Sequence, residues 1–400
     1  MKRSTTFGVI GLAALGGLVL GLVLTNVGQT PVAATSSPSP SAPVAVVSSG
    51  SASPYPTDST LPSESPSPTP VPTPTTVPDP LTGRLVLPAV AARHPIAVMI
   101  DDLNAARPQS GFAAASIVWQ APAEGGIPRY MMIFQENIPG AVGPVRSSRQ
   151  YYIAWAAEWR ALYAHAGGSP QALATLRAKG AGQYVYNADE FRWGHYFRRI
   201  STRFAPHNLY TNGKALRQIA ALSHAKDGPL KAAWKFAPPA PLESRPVGGV
   251  IRVSYPWNQI TYRYDRASNT YLRSVTGEPK QMDAATNTRV APTNVVVMIM
   301  SFGPLNDGSH KHRLEANFIG SGVAWVSTNG KTIKGTWVKK SVTTPTRFYD
   351  RAGNQIVMTV GQTFVQVMPR GSRIVIADGK VPPPVSPSSS PVPSATPQPS

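Results

Sequence analysis

Four hundred residues with 42 prolines, 33 glycines and no cysteine are too biased for one ordinary globular chain, and the bias sits at the two ends. Lack of cysteine excludes disulfides, a disulfide-linked partner, thiolate metal sites, a cysteine nucleophile and a lipid-modified cysteine. The formal charge is +19, and it rises to +20 once Lys2, Arg3, Asp58, Glu64 and Asp79 of the amino-terminal segments are set aside, so the remainder invites an anionic partner.

Lys2 and Arg3 precede an uncharged apolar run, residues 7–27, of about the 20 residues that a bilayer-spanning helix needs. The pattern predicts a cytoplasmic stub over 1–6 and a single-pass signal anchor over 7–27. Small residues around Val32, Ala33 and Ala34 leave a cleaved secretory peptide as the alternative. Both readings put everything from residue 28 outside the cytoplasm. Residues 28–82, with runs such as Ser65-Pro-Ser-Pro-Thr-Pro70, have too little apolar surface to offset ordering and are expected to form a disordered linker. In a polyproline-like state it would reach roughly 150 Å at about 3.1 Å per residue. A tail over 379–400 repeats that composition.

Between them two textures follow one another. Residues 83–240 alternate strand-like runs, at 96–100, 116–119, 130–134 and 161–164, with helices expected at 148–160, from Ser169-Pro170 to Gly180, and over 212–223. Residues 247–378 read as antiparallel β, with runs at 252–255, 260–264, 271–275, 295–300, 324–327, 333–338, 356–360 and 364–367. Turn signals at 265–269, Asn329-Gly330 and 350–354 separate several of them. The expected architecture is an α/β part followed by a β-rich antiparallel part, together a layered α/β sandwich behind a transmembrane helix and a linker. No internal repeat is evident.

The order of short motifs is specific: Pro95-Ile-Ala-Val-Met-Ile-Asp101, Ala106-Arg-Pro-Gln-Ser-Gly111, Glu124-Gly-Gly-Ile127, Gly143-Pro-Val-Arg-Ser-Ser-Arg149, His165-Ala-Gly-Gly-Ser-Pro170 and Pro206-His-Asn-Leu-Tyr-Thr211. With Gly335-Thr-Trp-Val-Lys-Lys340 and Gly361-Gln-Thr-Phe-Val-Gln-Val-Met-Pro369 the chain resembles, over about residues 85–370, the YerB-like family, a domain of unknown function in N- and C-terminal parts named for bacterial lipoproteins. The resemblance implies an exported two-part α/β fold and no established activity or cofactor. This chain departs from the lipoprotein pattern because it has no cysteine to acylate.

Chemistry concentrates where those motifs end segments. Asp101 and Asp102 close a strand, and in an open α/β sheet ligands gather beyond the carboxyl ends of strands. Adjacent strand residues point to opposite faces, so one aspartate at most faces a site. Asp101 is the candidate, as an oxygen ligand to a divalent cation such as Mg or as an acid–base group; capping the next turn or pairing with Arg107 is the plainer role. Arg146 and Arg149, three apart at the expected opening of a helix, hint at a carboxylate or phosphate between them, and Arg107 and Arg129 could complete the cluster. The alternative is internal salt bridges to Asp101, Glu124 or Glu158. Glu124 is a candidate acid–base group or a turn residue. His165 is a candidate general base or a core histidine, and Gly167, Gly168 and Ser169 form an anion-binding turn or simply a tight one. His207 and Asn208 add polar ligand groups. No common hydrolase, nucleotide-binding or zinc motif appears.

Three readings follow. The first is a membrane-anchored envelope protein binding an anionic wall polymer or lipid-linked glycan through its arginines. The second is a Mg-dependent phosphotransferase or hydrolase acting on lipid-linked wall precursors. Its segment Tyr163-Ala-His-Ala-Gly-Gly168 and general layout are similar, by analogy only, to LytR-CpsA-Psr wall-polymer ligases. The third is a non-catalytic scaffold. Nucleic acid is not an expected partner, given the export signal and the lack of a binding motif. Arginines converging on one pocket favour the first two readings, and arginines each buried against their own carboxylate favour the third.

Overall fold

Side-chain alternation decides the architecture. In β1 (Ile96–Asp101), β2 (Ile117–Pro122) and β3 (Pro128–Phe134) nearly every residue is buried, so both faces of these strands must be covered. Ala97, Met99, Trp119, Met131 and Ile133 enter one apolar cluster, while Ile96, Val98, Ile100, Val118, Met132 and Phe134 enter another. A period of two divides them between the faces of one sheet. A computed structural model describes residues 75–383. The apolar segment at 7–27, the linker up to 74 and the tail from 384 lie outside the described residues, as do the expectations attached to them. Among the described residues no helix is long and apolar enough to cross a membrane.

Continuing along the chain, the other strands of the two main sheets are β4 (Leu162–His165), β5 (Tyr186–Asp189), β6 (Val247–Ser254), β7 (Gln259–Asp265), β8 (Thr270–Val275), β9 (Asn294–Met300), β10 (Gly320–Thr328), β11 (Lys331–Lys339), β12 (Arg347–Tyr349), β13 (Thr363–Pro369) and β14 (Ile374–Lys380). Ten of them form one mixed sheet in the order β12-β11-β10-β9-β13-β2-β3-β1-β4-β5. The other four form a second sheet, β8-β7-β6-β14, whose Ile251, Val253, Ile260 and Tyr262 share a cluster with Val98 and Ile100. The three longest helices among the described residues are α1 (Gln150–Ala156), α2 (Pro170–Lys179) and α3 (Gly213–Leu222). Residues of α1 and α2 pack with the first cluster and Leu216 and Ile219 of α3 with the second, which gives three layers.

Local signals account for most of these elements. Ser169 and Asn212 cap α2 and α3, their side-chain oxygens accepting from Ala172 N at 3.3 Å and Ala215 N at 2.9 Å. Asn329 and Gly330, both at positive φ, close the β10–β11 hairpin. Four expectations need correction. The second half is not wholly antiparallel, because β13 runs parallel to both β9 and β2 and so joins strands from the two halves of the chain. The run at 356–360 stays out of the large sheet and pairs, as Val357–Thr359, with Lys235–Ala237. The helix expected at 148–160 begins only at Gln150 and becomes a 3-10 turn after Ala156. Residues 75–82, assigned to the linker by composition, belong to the fold: Val77–Pro78 pairs with Leu85–Val86, and the Asp79 carboxylate accepts from Leu81 N and Thr82 N at 2.9 Å each.

Candidate anion-binding site

Strands β1, β2, β4, β5, β9 and β13 all run in one direction, which follows from their pairings. Their carboxyl ends therefore meet at one edge of the large sheet, the place where open α/β sheets bind ligands. Asp101 ends β1, Glu124 follows β2, and a hairpin of Phe302–Pro304 with Leu314–Ala316 follows β9. These segments enclose a cleft of about 340 Å³ lined by Asp101, Leu103, Glu124, Ile127, Arg129, Arg146 and Lys311.

Asp101 is the hub. Its Oδ2 lies 2.9 Å from Arg146 Nε and 2.6 Å from His207 Nδ1, and its Oδ1 accepts from Leu103 N at 3.1 Å. Arg129 stands opposite it in the β1–β3 register. Glu124 is the second anion: Arg129 Nη2 donates to its Oε2 at 3.2 Å, Arg149 pairs with its Oε1, and Arg313 Nε lies 3.9 Å away. Asp307 pairs with Arg313 from within the hairpin loop. Five cations, Arg129, Arg146, Arg149, Lys311 and Arg313, thus face three carboxylates. The Nε–H groups of Arg149 and Arg313 are buried without an acceptor among the described residues.

Burial depresses these guanidinium groups. The Arg149 pKa is pushed down to about 10 by burial, with Tyr151 opposing and neighbouring Arg313 adding to the fall. Arg146 falls through burial, against the pull of Asp101 and with a further push from Arg129, and Arg129 falls through burial against Asp101. A cluster of cations partly removed from water, with too few counter-charges, is relieved by an incoming anion.

The two aspartates part at the end of β1. Asp102 turns inward, accepting from Gln120 Nε2 at 2.6 Å and Asn258 Nδ2 at 3.0 Å and pairing with Arg107 at 3.0 Å. Arg107 is thereby held away from the cleft, donating to Thr276 O at 2.6 Å. Nor do Arg146 and Arg149 share a helix face. Residues 145–149 are extended, Val145 bridging to Ile100, and α1 starts after Arg149; one arginine reaches Asp101 and the other Glu124.

His165 is also apart from the cleft. Its fully buried ring lies between Gly167 O at 2.8 Å and Asn187 Oδ1 at 2.7 Å. Gly167 N donates to Asp189 Oδ1 at 3.1 Å, Gly168 bridges to Ser148, and Ser169 caps α2, so this turn is already engaged by the protein itself. Asn208 braces its own loop, accepting from Arg199 Nη1 at 3.0 Å and donating to Ile200 O and Arg203 O at 3.1 Å. A divalent cation at Asp101 would have to displace Arg146 or His207. Among the described residues no group of three or more His, Asp or Glu is placed to hold a metal.

Sequence reading missed Lys311, Arg313 and Asp307. Their run, Asp307-Gly-Ser-His-Lys-His-Arg313, looks like a solvated loop, and only the β9–β13–β2 pairing carries it to Glu124. Hydrogen bonds from Ser309 and Arg313 hold the Asp307 carboxyl at about 2, below its ordinary 3.8. Their support is complete above the ordinary value and lost as pH falls through about 2. Asp307→Asn is expected to speed amide hydrogen exchange over 305–313 at neutral pH by imitating that loss. Equal exchange in variant and parent would show that the pair does not hold the loop.

Residues 81–226 match the family described as "Protein of unknown function (DUF3048) N-terminal domain", and 251–365 match "Protein of unknown function (DUF3048) C-terminal domain". "Putative lipoprotein YerB" of Bacillus subtilis (strain 168) is 32% identical over 315 residues, spanning 75% of this chain and 89% of that protein. The crystal structure of the YerB protein from Bacillus subtilis is similar with a TM-score of 0.65 at 26% identity, covering 74% of this chain and 98% of that one.

Proposed function

This chain belongs to the YerB-like family, built from paired DUF3048 N- and C-terminal domains, and from that premise we propose an extracytoplasmic envelope protein whose cleft binds a phosphate-bearing wall polymer or lipid-linked glycan. One observation carries the ligand class: Arg129, Arg146 and Lys311 line the 340 Å³ cleft with Asp101 and Glu124, Arg149 and Arg313 stand beside Glu124, and the buried Nε–H groups of those two lack acceptors among the described residues. Phosphate oxygens suit such donors because charge-assisted hydrogen bonds are strong where water is partly excluded. The relative's name says lipoprotein. This chain has no cysteine to acylate, so its anchor is assigned to the apolar residues 7–27.

Calorimetric titration with a poly(glycerol phosphate) oligomer tests the reading. Arg146→Ala is expected to weaken binding by about 10- to 100-fold, the worth of a hydrogen bond to a charged group. Raising the salt concentration should weaken binding of the parent as well. Affinity unchanged by Arg146→Ala and by Arg129→Ala, or unchanged by salt, would remove the cleft from the mechanism.

A second reading rests on the Asp101–His207 contact at 2.6 Å. A carboxylate that orients one ring nitrogen leaves the other available for proton transfer, as phosphoester hydrolysis or transfer requires. Turnover of a lipid-linked pyrophosphate, lost in His207→Gln while polymer binding survives, would establish that reading. Binding without turnover would leave the first.

A further inference from the structure

The two most exposed large apolar side chains of the described residues lie in one short stretch: Phe191 is 80% exposed and Phe204 is 92% exposed. Asp189 caps a single turn, Glu190–Trp193, by accepting from Phe191 N, and that turn presents the phenylalanine. Phe204 sits in the loop that closes the Arg198–Arg199 and Leu209–Tyr210 pair. Arg199 links the two places, with Nη2 3.9 Å from Glu190 Oε1 and Nη1 donating to Asn208 Oδ1 at 3.0 Å. Arg192, Arg198 and Arg199 of the same stretch are exposed, and Trp193 lies under Arg192 at 5.4 Å. Residues 189–207 hold four arginines against two acids, and Arg203 alone of the four is committed inward, to Ala106 O, Pro108 O and Tyr210 Oη.

We propose that this stretch docks the folded part onto an anionic lipid bilayer, Phe191 and Phe204 entering the headgroup–acyl boundary while Arg192 and Arg198 meet lipid phosphates. Charge and apolarity together select the partner. A soluble polyanion would satisfy the arginines and leave both phenylalanines in water, whereas a bilayer surface takes both. Transfer of each phenylalanine from water favours the docked state by about tenfold or more. Each arginine near anionic lipid adds about fivefold. The stretch ends at His207, whose ring contacts Asp101, so docking would bring the cleft close to lipid-borne phosphate. The inference rests on the folded part lying outside a membrane and not on the cleft binding a ligand.

The test uses the full chain reconstituted into vesicles of phosphatidylglycerol or of phosphatidylcholine, with flotation first confirming membrane association. Amide hydrogen exchange over 189–208 is expected to be about tenfold slower on phosphatidylglycerol. Phe191→Ser/Phe204→Ser should abolish that slowing, and Arg192→Gln/Arg198→Gln should reduce it, each at the parent's melting temperature. Equal exchange on the two lipids would overturn the proposal. So would slowing that survives removal of both phenylalanines, or equal slowing by soluble poly(glycerol phosphate) on phosphatidylcholine vesicles. Failure to float on phosphatidylglycerol vesicles would overturn the docking and the membrane anchor together.

Discussion

Arg273→Ala is expected to lower the free energy of unfolding by about 4 kcal/mol in a urea titration, the range for stripping a partner from a buried charged network. Arg273 is fully buried, and its guanidinium is a hub between the two halves of the chain. It donates to Tyr262 Oη at 2.9 Å, Tyr130 Oη at 3.1 Å and Gln120 Oε1 at 2.7 Å, and also to Gln281. Its cation lies 5.4 Å from the ring centres of Tyr130 and Tyr262 and 5.7 Å from that of Phe364. Among the described residues no carboxylate pairs with it directly; Gln120 relays it to Asp102. Truncation opens a cavity and leaves several buried acceptors unpaired. Arg273→Lys should fall between variant and parent, because an ammonium cannot reproduce the planar fork.

The same loss has a pH dependence. Burial raises the Asp102 pKa above 3.8, and Arg107 and Arg273 pull against that rise. Without Arg273 the folded-state pKa climbs further. A raised carboxyl favours the folded state only when protonated, so its burden appears as pH rises through the window above 3.8. The deficit of Arg273→Ala should therefore shrink at acidic pH. A deficit under about 1 kcal/mol, or one that grows on acidification, would contradict the network's role.

Lys339→Ala is expected to cost about 3–5 kcal/mol by the same measurement. Lys339 Nζ lies 2.9 Å from Glu158 Oε1 with both side chains fully buried, donates to Thr344 O at 2.7 Å, and shares Glu158 with the Thr346 hydroxyl at 2.6 Å. The pair ties the turn after α1 to β11, across 181 residues of sequence. Removing the ammonium leaves a carboxylate inside the protein. Lys339→Met with Glu158→Gln removes both charges and keeps an acceptor for Thr346, so the double variant should recover most of the loss, because replacing a buried ion pair outright is often close to neutral. Equal losses in single and double variants would mean that packing, not the uncompensated charge, dominates.

Much of the local structure was legible without coordinates. The runs of β1, β7, β9 and β11, the caps Ser169 and Asn212, and the Asn329-Gly330 turn depend on side-chain period and turn chemistry within a few residues. Asp101, Glu124, Arg129, Arg146, Arg149 and His207 stood out as candidates because they lie beside glycine and proline punctuation at segment ends, and they meet in or beside one cleft. His165 and Gly167 carry equally suggestive neighbours yet lie against Asn187 and Asp189, and nothing local distinguishes a buried turn from a site. Arg107 is diverted by Asp102, a choice made where the chain leaves β1 and the two aspartates turn apart.

By itself the sequence determined the biased ends, the basic excess and eleven of the fourteen strands of the two main sheets, all but β5, β12 and β14, because each of these is written in composition or in a period of two. Only the tertiary structure decided that β13 enters between β9 and β2, that six strands end at one edge, and that Lys311, Arg313 and Asp307 join residues some 180 positions earlier. Strand order and parallel register come from burying both faces of a shared sheet, a condition on the whole chain that no short window contains.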